Sequence, residues 1–182
     1  YCLRHFINHF IFNFIFGQVN IIFLILIMNY KKLVLSTNEV EKIVKKEYGI
    51  SGSASKLQGE IDINYRISTK NSQDYILKIS RPDSTSDYLD FQIQILQFIN
   101  SKKKSIPIPK IVLNKKKENI TEIQDSHGSI RRIRLLRWIP GRLWSSVSPQ
   151  LDNLRYSLGE KSGVITKLLK GFDHKMANRE FE

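Results

Sequence analysis

Tyr75-Ile76-Leu77-Lys78-Ile79-Ser80 is the stretch whose reading decides the fold of this chain. It is an apolar strand interrupted by a single lysine. A cation in mid-strand either escapes to solvent or finds a negative partner, because burying it unpaired is expensive. Upstream, Ile61-Asp62-Ile63-Asn64-Tyr65-Arg66-Ile67-Ser68 reads as another strand, joined through the turn-rich Thr69-Lys70-Asn71-Ser72-Gln73, so the two form a hairpin. Downstream, Arg81-Pro82-Asp83-Ser84 ends the strand. Leu89, Ile93, Leu96 and Ile99 then recur at helical spacing, which predicts a helix from Ser86 to Ile99.

The order of strand, lysine-bearing strand and helix has a known chemical use. In protein-kinase-like phosphotransferases a lysine on the third strand holds the α- and β-phosphates of ATP and is steadied by a carboxylate on the following helix. A solvent-facing lysine on an ordinary strand is the alternative at this point.

With 182 residues the chain is long enough for one domain with a proper core. It carries 29 basic and 17 acidic side chains, a formal net charge of +12. Such a balance raises nucleic acid or an anionic surface as partners, but no recognition motif accompanies it, and heavy use of Lys, Ile and Asn accounts for it as well. Cys2 is the single cysteine and forms no internal disulfide, which fits a reducing compartment and a cytoplasmic protein. His5, His9, His127 and His174 are scattered without metal-site spacing, and no Walker A sequence occurs.

Residues 1–27 differ from the rest, being rich in Phe and Ile with Arg4 their only charged residue. We read Met28 as the native start and the preceding stretch as outside the native domain. The alternative is a membrane anchor through residues 10–28, with Lys31 and Lys32 on its cytoplasmic side. Ser36-Thr37-Asn38-Glu39 is a capping box that opens a helix with Val40, Ile43, Val44 and Tyr48 on one face and Gly49 at its stop. Ser51 to Gln58 serves as a first short strand, and Gly59 permits close approach in the turn after it, although Glu60 and Asp62 are awkward neighbours for phosphate.

Lys102-Lys103-Lys104 reads as a solvated tip. Ile106-Pro107-Ile108-Pro109-Lys110-Ile111-Val112 must be extended and leads into a strand near a sheet edge. Asn114 to Asn119 is a charged turn, Ile120 to Ile123 a return strand, and His127-Gly128 another turn. Ile130 to Trp138 is a longer strand with Ile133 and Leu135 on one face and Arg132, Arg134 and Leu136 on the other, the arginines reading as a wet face. After the corner Ile139-Pro140-Gly141-Arg142, helical spacing at Leu151, Leu154, Leu158, Ile165, Leu168 and Leu169 runs to Gly171.

Four patches together carry a family resemblance: Gly59 to Arg66, Tyr75 to Ser80, Ile106-Pro107-Ile108-Pro109-Lys110, and Arg134 to Arg142. They resemble the N-terminal lobe of the aminoglycoside phosphotransferase and choline kinase-like family, from about Leu33 onward. With Ser51-Gly52-Ser53 and Gly171-Phe172-Asp173-His174, they look most like the branch of hydroxylysine kinase and of phosphotransferases fused to class III aminotransferases.

The resemblance implies an α+β fold: a kinase-like N-lobe over residues 28–140, with an antiparallel five-stranded sheet and an inserted helix, then a hinge corner and the start of a helical C-lobe over 141–182. It implies ATP or GTP with magnesium as cofactor of the parent enzyme, an amine-bearing alcohol as acceptor, and an aminotransferase as a fusion partner. Lys78 matches the phosphate-binding lysine, Asn64 lies in the loop folded over ATP, and Leu136, Arg137 and Ile139 fall on the hinge. There the Arg137 carbonyl and the Ile139 amide would meet adenine.

Two departures stand out. Gln92 occupies the place of the lysine-pairing glutamate, with Asp90 a nearby but differently oriented substitute, which would leave Lys78 dependent on nucleotide phosphate. The catalytic loop with its histidine, aspartate base and metal-binding asparagine is missing, since Asp173-His174 runs in the reverse order. The sequence therefore predicts a truncated kinase that binds nucleotide weakly and does not turn over. A non-catalytic basic module, membrane-anchored or bound to nucleic acid, is the competing reading.

Overall fold

Alternation along three neighbouring strands builds the sheet on which everything else rests. In the computed structural model, which describes residues 35–59, 61–102, 106–125 and 128–177, the hairpin is β2 (Ile63–Ser68) against β3 (Tyr75–Ile79). β1 (Ser53–Leu57) flanks β2, and β6 (Ile130–Arg137) flanks β3 on its other side. All these pairs are antiparallel. Register sets Tyr65 beside Leu77 and Leu135, and Ile63 beside Ile79 and Ile133. Tyr65, Leu77, Leu135, Ile79 and Ile133 are all at most 1% exposed, so this face is the core.

Helix α1 (Thr37–Tyr48) closes that face. Its capping box is formed, with Ser36 Oγ accepting from the Glu39 amide and the Glu39 carboxylate accepting from the Ser36 amide. Val40, Val44 and Tyr48 are buried, and Gly49 ends the helix at φ 73°, a left-handed conformation that suits glycine. Two contacts tie α1 across the sheet: the Tyr65 hydroxyl donates to the Leu35 carbonyl (2.7 Å), and the Thr121 hydroxyl meets Tyr48 Oη (3.4 Å).

The inserted helix is α2 (Ser86–Ser101), capped by Thr85, with Leu89, Ile93 and Ile99 buried. The sheet has six strands rather than the expected five, because the proline-rich segment contributes β4 (Ile111–Val112) and the return strand is β5 (Thr121–Gln124). Both pair with β6. The prolines restrict β4 to two residues at the sheet edge, where the sequence leads into a strand. Beyond the corner, a 3-10 turn (Trp144–Ser146) leads to α3 (Asp152–Leu169), which has no buried residue.

Among the described residues no helix is long and apolar enough to cross a membrane. Residues 1–27, the anchor alternative over 10–28, the Lys103-Lys104 tip, Glu60 and His127 lie outside the described residues.

Candidate nucleotide site

The sheet face opposite the core carries the chemistry. Because Asn64 pairs with Lys78 and Lys78 with Arg134, three adjacent strands set an amide, an ammonium and a guanidinium side by side. Lys78 Nζ donates to Asn64 Oδ1 (3.1 Å) and forms an ion pair with Asp62 Oδ2 (3.2 Å). The same Asp62 oxygen accepts from Arg134 Nη2 at 2.8 Å. Arg134 also donates to Ser80 Oγ (2.6 Å) and to Gln92 Oε1 (2.5 Å). A cleft of about 330 Å³ opens here, lined by Ile61, Asp62, Asn64, Lys78, Tyr88 and Gln92.

Burial grades the three charges. The Arg134 side chain is 3% exposed, Asp62 12% and Lys78 27%, so the guanidinium sits at the back and the ammonium at the front. Burial pulls the Arg134 pKa down and the Asp62 carboxylate pulls it back up, the balance expected of a cation that survives inside only with a partner. Gly59 completes the site from the turn before β2. A Cβ there would lie 2.4 Å from both Asn64 Nδ2 and the Asp62 carbonyl, so no side chain fits. Asn64 Nδ2 donates to that same carbonyl (3.2 Å).

The structure thus brings together Lys78, Asn64 and Gln92. Leu136, Arg137 and Ile139 lie outside the cleft lining: Leu136 is buried opposite Ile76 and Ile111, and the Arg137 amide donates to the Lys110 carbonyl (2.8 Å). Two expectations need correction. Lys78 is not left without a carboxylate by glutamine at position 92, since Asp62 from the β1–β2 connection supplies one. Arg134 is not on a wet face, since three acceptors surround it. The signal that would have found it was present: it is a cation amid Ile133, Leu135 and Leu136, in the same predicament as Lys78.

Asp90 turns away, accepting from Gln94 Nε2 (2.5 Å) and lying 3.4 Å from His174 Nε2. Asp173-His174 is likewise absent from the cleft lining. His174 packs against Phe91 and Phe172, fastening the C-terminal segment to α2.

A family model described as "Phosphotransferase enzyme family" (APH) matches residues 55–181. No curated protein sequence matches the chain. Among solved structures, amicoumacin kinase hAmiN, in complex with AMP-PNP, Ca2+ and Ami, superposes with a TM-score of 0.64 at 20% identity, covering 78% of this chain and 42% of that one. A microcompartment-associated aminopropanol kinase superposes at 0.62 and 14% identity, covering 81% and 45%. The chain spans less than half the length of either kinase.

Proposed function

Because the chain belongs to the phosphotransferase enzyme family, we propose that it is the nucleotide-binding lobe of an ATP-dependent small-molecule kinase. The observation that carries this reading is the Lys78 ammonium, held by Asn64 and Asp62 at the mouth of a cleft rather than free in solvent. An ammonium so placed binds the α- and β-phosphates of ATP or GTP as a compact point charge. Asn64 fixes its direction, and Gly59 lets the preceding turn come close enough to cover the phosphates. The strand end at Arg137 and the corner at Ile139 offer backbone groups for the base, a mode of recognition that needs no special side chain there.

Among the described residues no three His, Cys, Asp or Glu side chains converge to hold a metal ion. Phosphoryl transfer relies on positioning and on neutralising charge, and Asp173-His174 reverses the histidine and aspartate order of the family's catalytic loop. The reading is of nucleotide binding without turnover by this chain. The parent enzyme would phosphorylate a hydroxyl of an amino-alcohol or hydroxy-amino acid, in the manner of hydroxylysine kinase, with aminotransferase fusion as one setting for it.

Photolabelling with an azido-ATP analogue tests this. Adducts should map to peptides containing Gly59 to Lys78 and Leu136 to Ile139 and be suppressed by excess ATP. Labelling spread over the lysine-rich surface and indifferent to ATP would contradict the reading, as would ATP-dependent phosphorylation of a hydroxylated amine by the purified chain.

A further inference from the structure

We propose that Asp62 is a counter-ion latch: in the absence of nucleotide its carboxylate, anchored by Arg134, occupies Lys78 and must yield that ammonium to an incoming nucleoside triphosphate. The proposal rests on the assignment of Lys78 as the phosphate-binding lysine.

An ammonium has three N–H donors; Asn64 Oδ1 accepts one at 3.1 Å, and Asp62 Oδ2 lies 3.2 Å from the nitrogen as its ion-pair partner. Asp62 lines the cleft and Arg134 does not, so the carboxylate stands between the buried guanidinium and the open space that phosphate would enter. Arg134 consequently acts through Asp62, as a positioning residue. It holds the carboxylate at 2.8 Å, and Gln92, contributing only a neutral oxygen, leaves Asp62 as the sole anion hydrogen-bonded to that guanidinium among the described residues.

Two cations against one carboxylate give the trio a net charge of +1. A helix glutamate in place of Gln92 would cancel it. Here the cleft stays attractive to a polyanion while the anion that satisfies Lys78 sits on the strand entry rather than on α2. Asp62 precedes Ile63, the first residue of β2, so its side chain can leave Lys78 without breaking a ladder hydrogen bond.

The test is AMP-PNP binding by calorimetry to the full 182-residue chain and to Asp62→Asn, Arg134→Gln and the double variant, at low and moderate salt. Removing a unit charge a few ångströms from bound phosphate changes affinity by roughly tenfold after screening. Asp62→Asn, at +2, should bind about tenfold tighter than the parent with a steeper salt dependence. Arg134→Gln, at zero net charge, should bind about tenfold more weakly. The double variant keeps Lys78 alone at +1 and lacks the latch, so it should match or exceed the parent.

A purely structural role for either residue predicts weaker binding in all three. If Asp62→Asn melts because Arg134 loses its counter-ion, the double variant, which strands no charge, decides the matter. Parent binding that Lys78→Ala abolishes, but that both Asp62 variants weaken, overturns the latch alone. Failure of the parent and every variant to bind nucleotide overturns the kinase-lobe reading and the latch with it. Binding that emerges only when Asp62 is neutralised supports both.

Discussion

Replacing Arg134 with methionine tests whether a charge in mid-strand is integral to the site or incidental to the surface. The guanidinium is 3% exposed and donates to Ser80 Oγ, Asp62 Oδ2 and Gln92 Oε1. Breaking a buried pair by removing one partner generally costs about 3–5 kcal/mol. Asp62 keeps Lys78 as a second cation and faces the cleft, so its carboxylate is not stranded. Methionine also fills much of the arginine's volume, which lowers the expected loss to about 2–3 kcal/mol. Arg132→Met on the same strand is the internal control: its guanidinium, 27% exposed, pairs with the exposed Glu122 and donates to the Ser84 carbonyl (3.0 Å), and should lose about 1–2 kcal/mol at most. Urea denaturation followed by circular dichroism measures both. Equal losses for the two variants would refute the argument, because burial and partners are what distinguish them.

Three other outcomes follow from the same geometry. Gly59→Ala should lower the melting temperature and weaken nucleotide binding together, since its methyl would lie 2.4 Å from Asn64 Nδ2; unchanged binding would show that Asn64 does not fix the lysine. Leu77→Ala, at 0% exposure in the central strand, should lose about 3–4 kcal/mol in the urea experiment; a loss under about 1 kcal/mol would contradict the assigned core face. Hydrogen bonds from Arg66 hold the Asp74 carboxyl below its usual pKa. That stabilisation is present above the unfolded-chain pKa of about 4 and is lost as pH falls through the lowered folded value. Asp74→Asn should therefore flatten the acid side of a melting-temperature profile, and a profile that keeps its slope would place the acid sensitivity elsewhere.

How much of this was legible in the sequence depended on whether the deciding contact was local. The capping box at Ser36 and Glu39, the Gly49 stop, the hairpin around Lys78 and the helix from Ser86 depend on spacing within a few residues, and each formed where the pattern put it. Strand β4 lies at the sheet edge where the two prolines put a strand, but its length was not legible, since only two residues pair. The partner of Lys78 was sought on the helix, where Gln92 stands, because nothing local says that Asp62 folds back onto the lysine. That contact depends on the β2–β3 register, which sets Asn64 opposite Lys78 and leaves Asp62 just beyond the ladder. Arg134 carried the same signal as Lys78, a cation among apolar strand residues, but its partners follow from the pairing of β6 with β3. The same pairing gives the guanidinium its neighbours and removes it from water.

The central claim is that Lys78 is a nucleotide ligand, and ATP titration of the parent chain and of Lys78→Ala tests it most directly. The account predicts saturable ATP binding that falls at least about tenfold in the variant, as expected for loss of a charge-assisted phosphate contact. Melting temperatures in the absence of ATP should stay close, because the side chain is 27% exposed and outside the core. Equal ATP affinity in the two proteins would contradict it.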